Sequence, residues 1–212
     1  MCKKVSMNHG GFGCDECSNR NVCHAFGPFL AADAACITPE PCHRGCPGAM
    51  LFSSGGITFN GTDGSLIGLG LGNTHLPITN GQITLPATVP AAGDPIFAYT
   101  IPSNGCIKSL AAHFVVTAGA AQTNAVVTIQ ARIYRATGVN ATFDATNAFV
   151  NLTPITASNL TLGHTVTGTA DILPPVQVGI GDRLLVVFTA TVTGGTVTTP
   201  ITGIGTAGVS IE

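Results

Sequence analysis

Eight cysteines carry most of the reactive chemistry in this chain of 212 residues. Seven of them, Cys2, Cys14, Cys17, Cys23, Cys36, Cys42 and Cys46, fall at its amino-terminal end, and the eighth is Cys106. The pairs Cys14-Asp15-Glu16-Cys17 and Cys42-His43-Arg44-Gly45-Cys46 could give a tetrahedral zinc its four thiolates, with Cys23 and His24 as further donors. That set leaves Cys2, Cys23 and Cys36 over, and the knuckle glycines usual in such pairs are missing. Cysteine at this density normally means disulfides in an oxidising place. All eight are therefore disulfide candidates, with zinc at Cys14, Cys17, Cys42 and Cys46 the alternative. Seven is an odd number, so complete pairing within the chain requires Cys106 to take one partner from the amino-terminal group. Otherwise at least one bond must leave the chain, and Cys2, being terminal, has the greatest reach. Haem attachment needs a histidine after the second cysteine of a C-x-x-C pair, and Cys17 is followed by Ser18. A redox C-x-x-C needs a βαβ setting, which the surrounding residues do not offer.

Catalytic patterns are otherwise absent from the sequence. Histidines stand at 9, 24, 43, 75, 113 and 164, without a His-Glu-x-x-His pair or a Gly-x-Ser-x-Gly elbow among them. His113 lies in an apolar run and reads as structural. Asp171 and Asp182 flank turn signals, where Asx side chains satisfy backbone groups. The expectation is no enzyme and no cofactor. Asn60-Gly61-Thr62, Asn140-Ala141-Thr142, Asn151-Leu152-Thr153 and Asn159-Leu160-Thr161 match the glycosylation acceptor pattern, which a chain rich in Asn and Thr produces by accident.

Composition sets the partners. Charged residues are only 8% of the chain, against about 25% in ordinary soluble domains. Gly, Thr, Asn, Ser and Pro fill the gap, so the surface is polar but almost uncharged and has little to oppose association. A net charge of -2 offers no basic face for nucleic acid. No apolar run approaches the length of a membrane span. The start, with Lys3 and Lys4 but no apolar stretch behind them, is not that of a secretory signal.

The elements that must hold this chemistry divide the chain near Pro47-Gly48. Residues 1–48 form a cysteine-rich arm, with a short helical turn conceivable around Pro28 to Ala35 and too little apolar surface for a core of its own. Residues 49–212 are expected to form an all-β domain, an antiparallel jelly roll or β-sandwich. Within it, 49–96 is rich in Gly and Pro, with brief β-prone pieces at Ala49 to Phe52, Ile57 to Phe59 and Gln82 to Leu85. The Leu66 to Gly72 stretch alternates Leu with Gly; it lacks the following helix of a phosphate loop. Strand signals then run over Phe97 to Ile101, Ile107 to Val116, Ala125 to Tyr134, Ala148 to Leu152, Leu160 to Thr169, Ile172 to Val178, Arg183 to Val192 and Ala207 to Ile211. Turn signals separate them at Ser103-Asn104-Gly105, Thr137 to Asn140, Gly179 to Asp182 and Gly194-Gly195. Alternation predicts that Val127, Ile129, Ala131 and Ile133 face the core together, with Gln130 and Arg132 outward.

Four stretches resemble a known family: Ile101 to Phe114, Ile129 to Ala136, Arg183 to Thr191 and Gly203 to Ile211. In order and spacing they are similar to the carboxy-terminal domain of BclB-type exosporium glycoproteins of spore-forming bacteria, over residues 51–212. The resemblance implies a β-rich, non-enzymatic module of the spore surface, made in the mother-cell cytoplasm, and for collagen-linked heads a trimeric jelly roll. Here the Gly-X-Y stalk is missing and the cysteine arm stands in its place, an architecture similar to endospore-appendage pilins. The expected function is a self-assembling structural subunit, forming a filament or layer with itself through interchain disulfides, with other coat or exosporium proteins as further partners. The alternatives are an adhesive, lectin-like head, against which the absence of Trp and scarcity of Tyr count, and a zinc-stabilised coat morphogenetic protein.

Overall fold

A computed structural model describes residues 48–59, 64–67, 73–85, 98–118, 122–197 and 200–212. The seven arm cysteines, the alternative zinc set, the turn around Pro28 to Ala35 and the acceptor pattern at Asn60 lie outside those residues. The described chain is all β, in fourteen strands: β1 Gly48–Phe59, β2 Gly64–Ile67, β3 Asn73–Leu76, β4 Gln82–Thr84, β5 Tyr99–Thr100, β6 Gly105–Ala118, β7 Gln122–Thr123, β8 Val126–Ala136, β9 Thr142–Asn151, β10 Ile155–Thr156, β11 Thr165–Val178, β12 Arg183–Thr193, β13 Thr196–Val197 and β14 Ile201–Ile211. They build two packed antiparallel sheets. The smaller runs β1-β14-β6-β11 and the larger β3-β2-β12-β8-β9-β4, with β10 on β8 and β5 on β12; β7 and β13 form a separate ribbon. If β1, β2, β6, β8, β9, β11, β12 and β14 are lettered A to H, the sheets read A-H-C-F and B-G-D-E. That is the strand order of a jelly roll, two Greek keys closed into a sandwich.

The core follows from strand parity. Val127, Ile129, Ala131 and Ile133 are all at most 1% exposed and point between the sheets, while Gln130 and Arg132 occupy the other face of β8. They meet Leu110, Phe114 and Val116 of β6 and Phe52 and Ile57 of β1. In β12 the five residues Leu184 to Phe188 are all fully buried. Leu184, Val186 and Phe188 enter the main core, whereas Leu185 and Val187 join Ile83, Tyr134, Ala136 and Phe143 in a second cluster on the far side of the larger sheet. Leu76, Ile78 and Leu85 pack against that second cluster. A strand covered on both faces loses its alternation and reads as a continuous apolar run.

Element boundaries move where side-chain signals are weak. The two strands expected over Leu160 to Val178 are one, β11, which shifts register opposite β6 between Asp171 and Val176, around a cis Leu173-Pro174 bond. Leu160 to His164 instead turns the chain, with His164 N–H donating to Thr161 O. β9 begins at Thr142, six residues ahead of expectation, because Gln82 to Thr84 of β4 pairs with its polar first half. β14 begins at Ile201 instead of Ala207; Gly203 lies there against the Phe114 ring and the Val115 carbonyl, with no room for a Cβ. The pieces Ala49 to Phe52 and Ile57 to Phe59 join as β1 through an irregularity between Ser53 and Gly56. Buried Ser54 sits in it and accepts the Gly205 N–H at 2.9 Å.

Candidate functional site: the Cys106 end and open face of the smaller sheet

Residues that alternate with the core on the smaller sheet lie in register on its outer face. One row runs Ala49, Ser210, Ser109, Asp171; the next Leu51, Gly208, Ala111, Thr169; then Ser53, Thr206, His113, Thr167; and Gly56, Ile204, Val115, Thr165. The sequence positions Leu110, Ala112, Phe114 and Val116 to the core, so the intervening Ser109, Ala111, His113 and Val115 must face away. This open face was legible in the alternation of β6 and in the Thr165-x-Thr167-x-Thr169 pattern of β11, once strand parity was assigned. It is built of small and neutral side chains, with Asp171 and His113 as its titratable groups in these rows. Leu51 stands 73% exposed on it and Ile204 42%. A shallow depression of about 330 Å³ runs along it between Ser109, Ala111, Thr169 and Asp171.

Cys106 stands at one end of this face. Its backbone N–H donates to Glu212 O at 2.7 Å, its carbonyl accepts the Glu212 N–H at 3.0 Å, and across β11 it opposes the exposed Gln177. The next residue, Ile107, belongs to the main core. Neighbours along a strand point to opposite faces, so Cys106 points outward. It is nevertheless fully buried, and it is disulfide-bonded. Beside it Lys108 Nζ pairs with Glu212 Oε2 at 2.9 Å.

The same end of the sandwich holds a buried acid. Asp182, 5% exposed in the β11–β12 turn, accepts the Gly179 N–H at 2.7 Å. Arg135 Nε lies 2.9 Å from the same carboxylate oxygen as an ion pair, without its N–H directed at it, and Nη1 donates to Gln177 O. Asp182 thus does the turn-closing work expected of it, while Asp171 sits exposed within β11 instead of at a turn. Asn140 accepts the Thr142 N–H, Asn159 the Thr156 N–H, and Asn151 the Gln130 amide. The three acceptor-pattern asparagines in the described residues thus accept hydrogen bonds, Asn140 and Asn159 within turns and Asn151 across the β8–β9 pair. Burial raises the Tyr134 hydroxyl above its usual titration range, against an opposing pull from Arg132. Among the described residues no group of three His, Cys, Asp or Glu side chains could hold a metal. His113 lies in mid-sheet and His164 in a turn, apart from one another in the register.

No family model matches the chain, and no curated protein matches it. Among solved structures, it is similar to the Eiger TNF of S. frugiperda, with 8% identity, a TM-score of 0.34, and coverage of 77% of this chain and 92% of that one. A second likeness is to the infectious bursal disease virus Gx strain, with 12% identity, a TM-score of 0.19, and coverage of 79% of this chain and 41% of that one.

Proposed function

We propose that the protein is a structural, self-assembling subunit of a bacterial spore surface layer or appendage, without catalytic activity, cross-linked through its amino-terminal cysteines. The observation that carries this reading is the pairing of two features in one chain. Seven cysteines precede a jelly roll whose smaller sheet leaves a flat face of Ser, Ala, Thr and Gly almost bare of charge. Such a face costs less to desolvate than a charged one and has few charges to repel a second copy. Each disulfide between copies, formed as two thiols give up two electrons and two protons to dioxygen or a small disulfide, would make the assembly resist dilution. The resemblance of residues 51–212 to the exosporium family supplies the spore setting.

The test is electron microscopy and non-reducing gel electrophoresis of purified protein, with and without reductant. Ordered assemblies and reductant-sensitive multimers are expected in the wild type. A variant lacking residues 1–20 should keep the sandwich fold and lose the multimers. A stable monomer at tens of micromolar, with the arm intact and oxidised, would sink the proposal.

A further inference from the structure

We infer that β1 is a docking edge for a second copy of this chain: the β1 strands of two molecules pair antiparallel about a two-fold axis at Leu51, joining their smaller sheets into one. The inference rests on the self-assembling reading above in taking a second copy as the occupant, and it names one contact that holds the copies.

The backbone shows which groups are on offer. Glu212 and Cys106 exchange both of their backbone hydrogen bonds, so Glu212 turns its groups to β6. Successive residues of a strand direct these groups to opposite sides, and the extra residues in the β14–β6 ladder lie on β6. Even-numbered residues of β14 therefore bond to β6 and odd-numbered ones to β1. The Gly205 N–H, which reaches Ser54 Oγ of β1, agrees. Opposite Ile211, Val209 and Ala207 stand Gly48, Met50 and Phe52, so these three bond to β14. The N–H and C=O groups of Ala49, Leu51 and Ser53 point out of the sheet, along the edge that β1 forms. Among the described residues no other strand pairs with them.

Proteins guard such edges with proline, charge, bulges or covering segments. β11, at the other end of the same sheet, carries Asp171, Pro174 and Pro175. Its Thr167, Pro174 and Gln177 carbonyls accept from Thr153, Asn147 and Arg135, and a Cβ at its Gly168 would meet the Asn151 carbonyl. β3 and β4, which end the larger sheet, have four and three residues. β1 has twelve, without a charge or a proline, and its irregularity falls after Ser53. Elimination then selects the occupant. In a second copy the long, unguarded strand at the end of a sheet is again β1, and a patch that pairs with itself does so about a two-fold axis. Leu51 sets the register. It is largely exposed and lies opposite Gly208. An axis at Leu51 brings two leucines together, an apolar cross-strand pair. It also sets Ala49 opposite Ser53 of the partner subunit, and both are small. The two open faces then lie on one side of the joined sheet as a single surface.

Backbone hydrogen exchange, read residue by residue after quenching, tests this on full-length oxidised protein at tens of micromolar. An amide held in a ladder is protected and one on a bare edge is not. In the wild type the Leu51 and Ser53 N–H groups should be protected along with those of Met50 and Phe52. Leu51→Asp alone, or Leu51→Lys alone, sets like charges opposite each other and should lose protection at Leu51 and Ser53. Met50 and Phe52 should stay protected, which shows the sandwich folded. An equimolar mixture of the two variants should restore what each alone has lost. Free exchange at Leu51 and Ser53 in the wild type would overturn the inference. So would protection that survives in either variant alone, or that the mixture fails to restore, since the cover would then be some other segment. Loss of reductant-sensitive multimers with this protection intact would strike only the proposed cross-linking, and multimers with an open β1 edge only this contact.

Discussion

Asp182 is buried in a chain that uses few charges, and its partners explain why it is tolerated. The carboxylate closes the β11–β12 turn through Gly179 and balances Arg135. Asp182→Ala removes a charge-assisted hydrogen bond and leaves Arg135 without its counterion, so a loss of about 2–3 kcal/mol in urea unfolding is expected. Asp182→Asn, which can still accept from Gly179, should lose less. Glycines give a second contrast. Gly203→Ala drives a Cβ into the Phe114 ring and the Val115 carbonyl, an overpacking expected to cost about 1–3 kcal/mol. At Gly208 the nearest atom to a Cβ is Leu51 Cδ2 at 3.8 Å, so Gly208→Ala should stay within about 0.5 kcal/mol of wild type. Tyr134 adds a pH signature. Burial favours its neutral hydroxyl, so its folded titration point is raised above 10. The stability this supplies is fully present below pH 10 and lost as pH rises through the folded value. Tyr134→Phe should flatten that alkaline decline, as followed by thermal unfolding across pH 9 to 12.

Strands whose side chains alternate, such as β8, were legible in the sequence to within a few residues. Those built by contacts far along the chain were not. β14 owes its first half to the fit of Gly203 and Gly205 against β6 and β1, and a glycine carries no strand signal of its own. The join in β11 passes through Leu173-Pro174-Pro175, which reads as a break because proline cannot donate to a ladder; register with β6 resumes at Val176. The candidate site divides the same way. Cysteine positions and the low charge stood in the sequence, and the odd number of arm cysteines left either Cys106 or another chain to supply a partner. That Cys106 faces outward needed the register of β6 with β11 and β14. The continuous burial of Leu184 to Phe188 yields a direct check on the double cover of β12. Leu185→Ala, on the side away from the main core, should cost as much as Leu184→Ala, about 2–5 kcal/mol each. A loss below 1 kcal/mol at Leu185 would show that the second cluster contributes little.

At the scale of the molecule, low charge would govern how copies meet in the proposed assembly. Contacts made by neutral Ser, Thr, Ala and Gly faces are insensitive to the screening that dissolves ion-paired interfaces. Assemblies formed by this chain should therefore sediment alike at low and at molar salt. Strong dissociation by salt would place the contacts on the few charged groups, such as Lys108 and Arg183, and away from the open face.

The pairing of β1 with β14 also sets a clock. Thr58 and Thr202 share a hydrogen bond although 144 residues separate them, and β14 lies between β1 and β6 in the smaller sheet. Until β14 leaves the ribosome, that sheet has a gap in its middle, and β1 has no strand to pair with. Topologies dominated by such distant pairings fold in milliseconds to seconds. The smaller sheet, and with it the open face, is therefore complete only once β14 has been made.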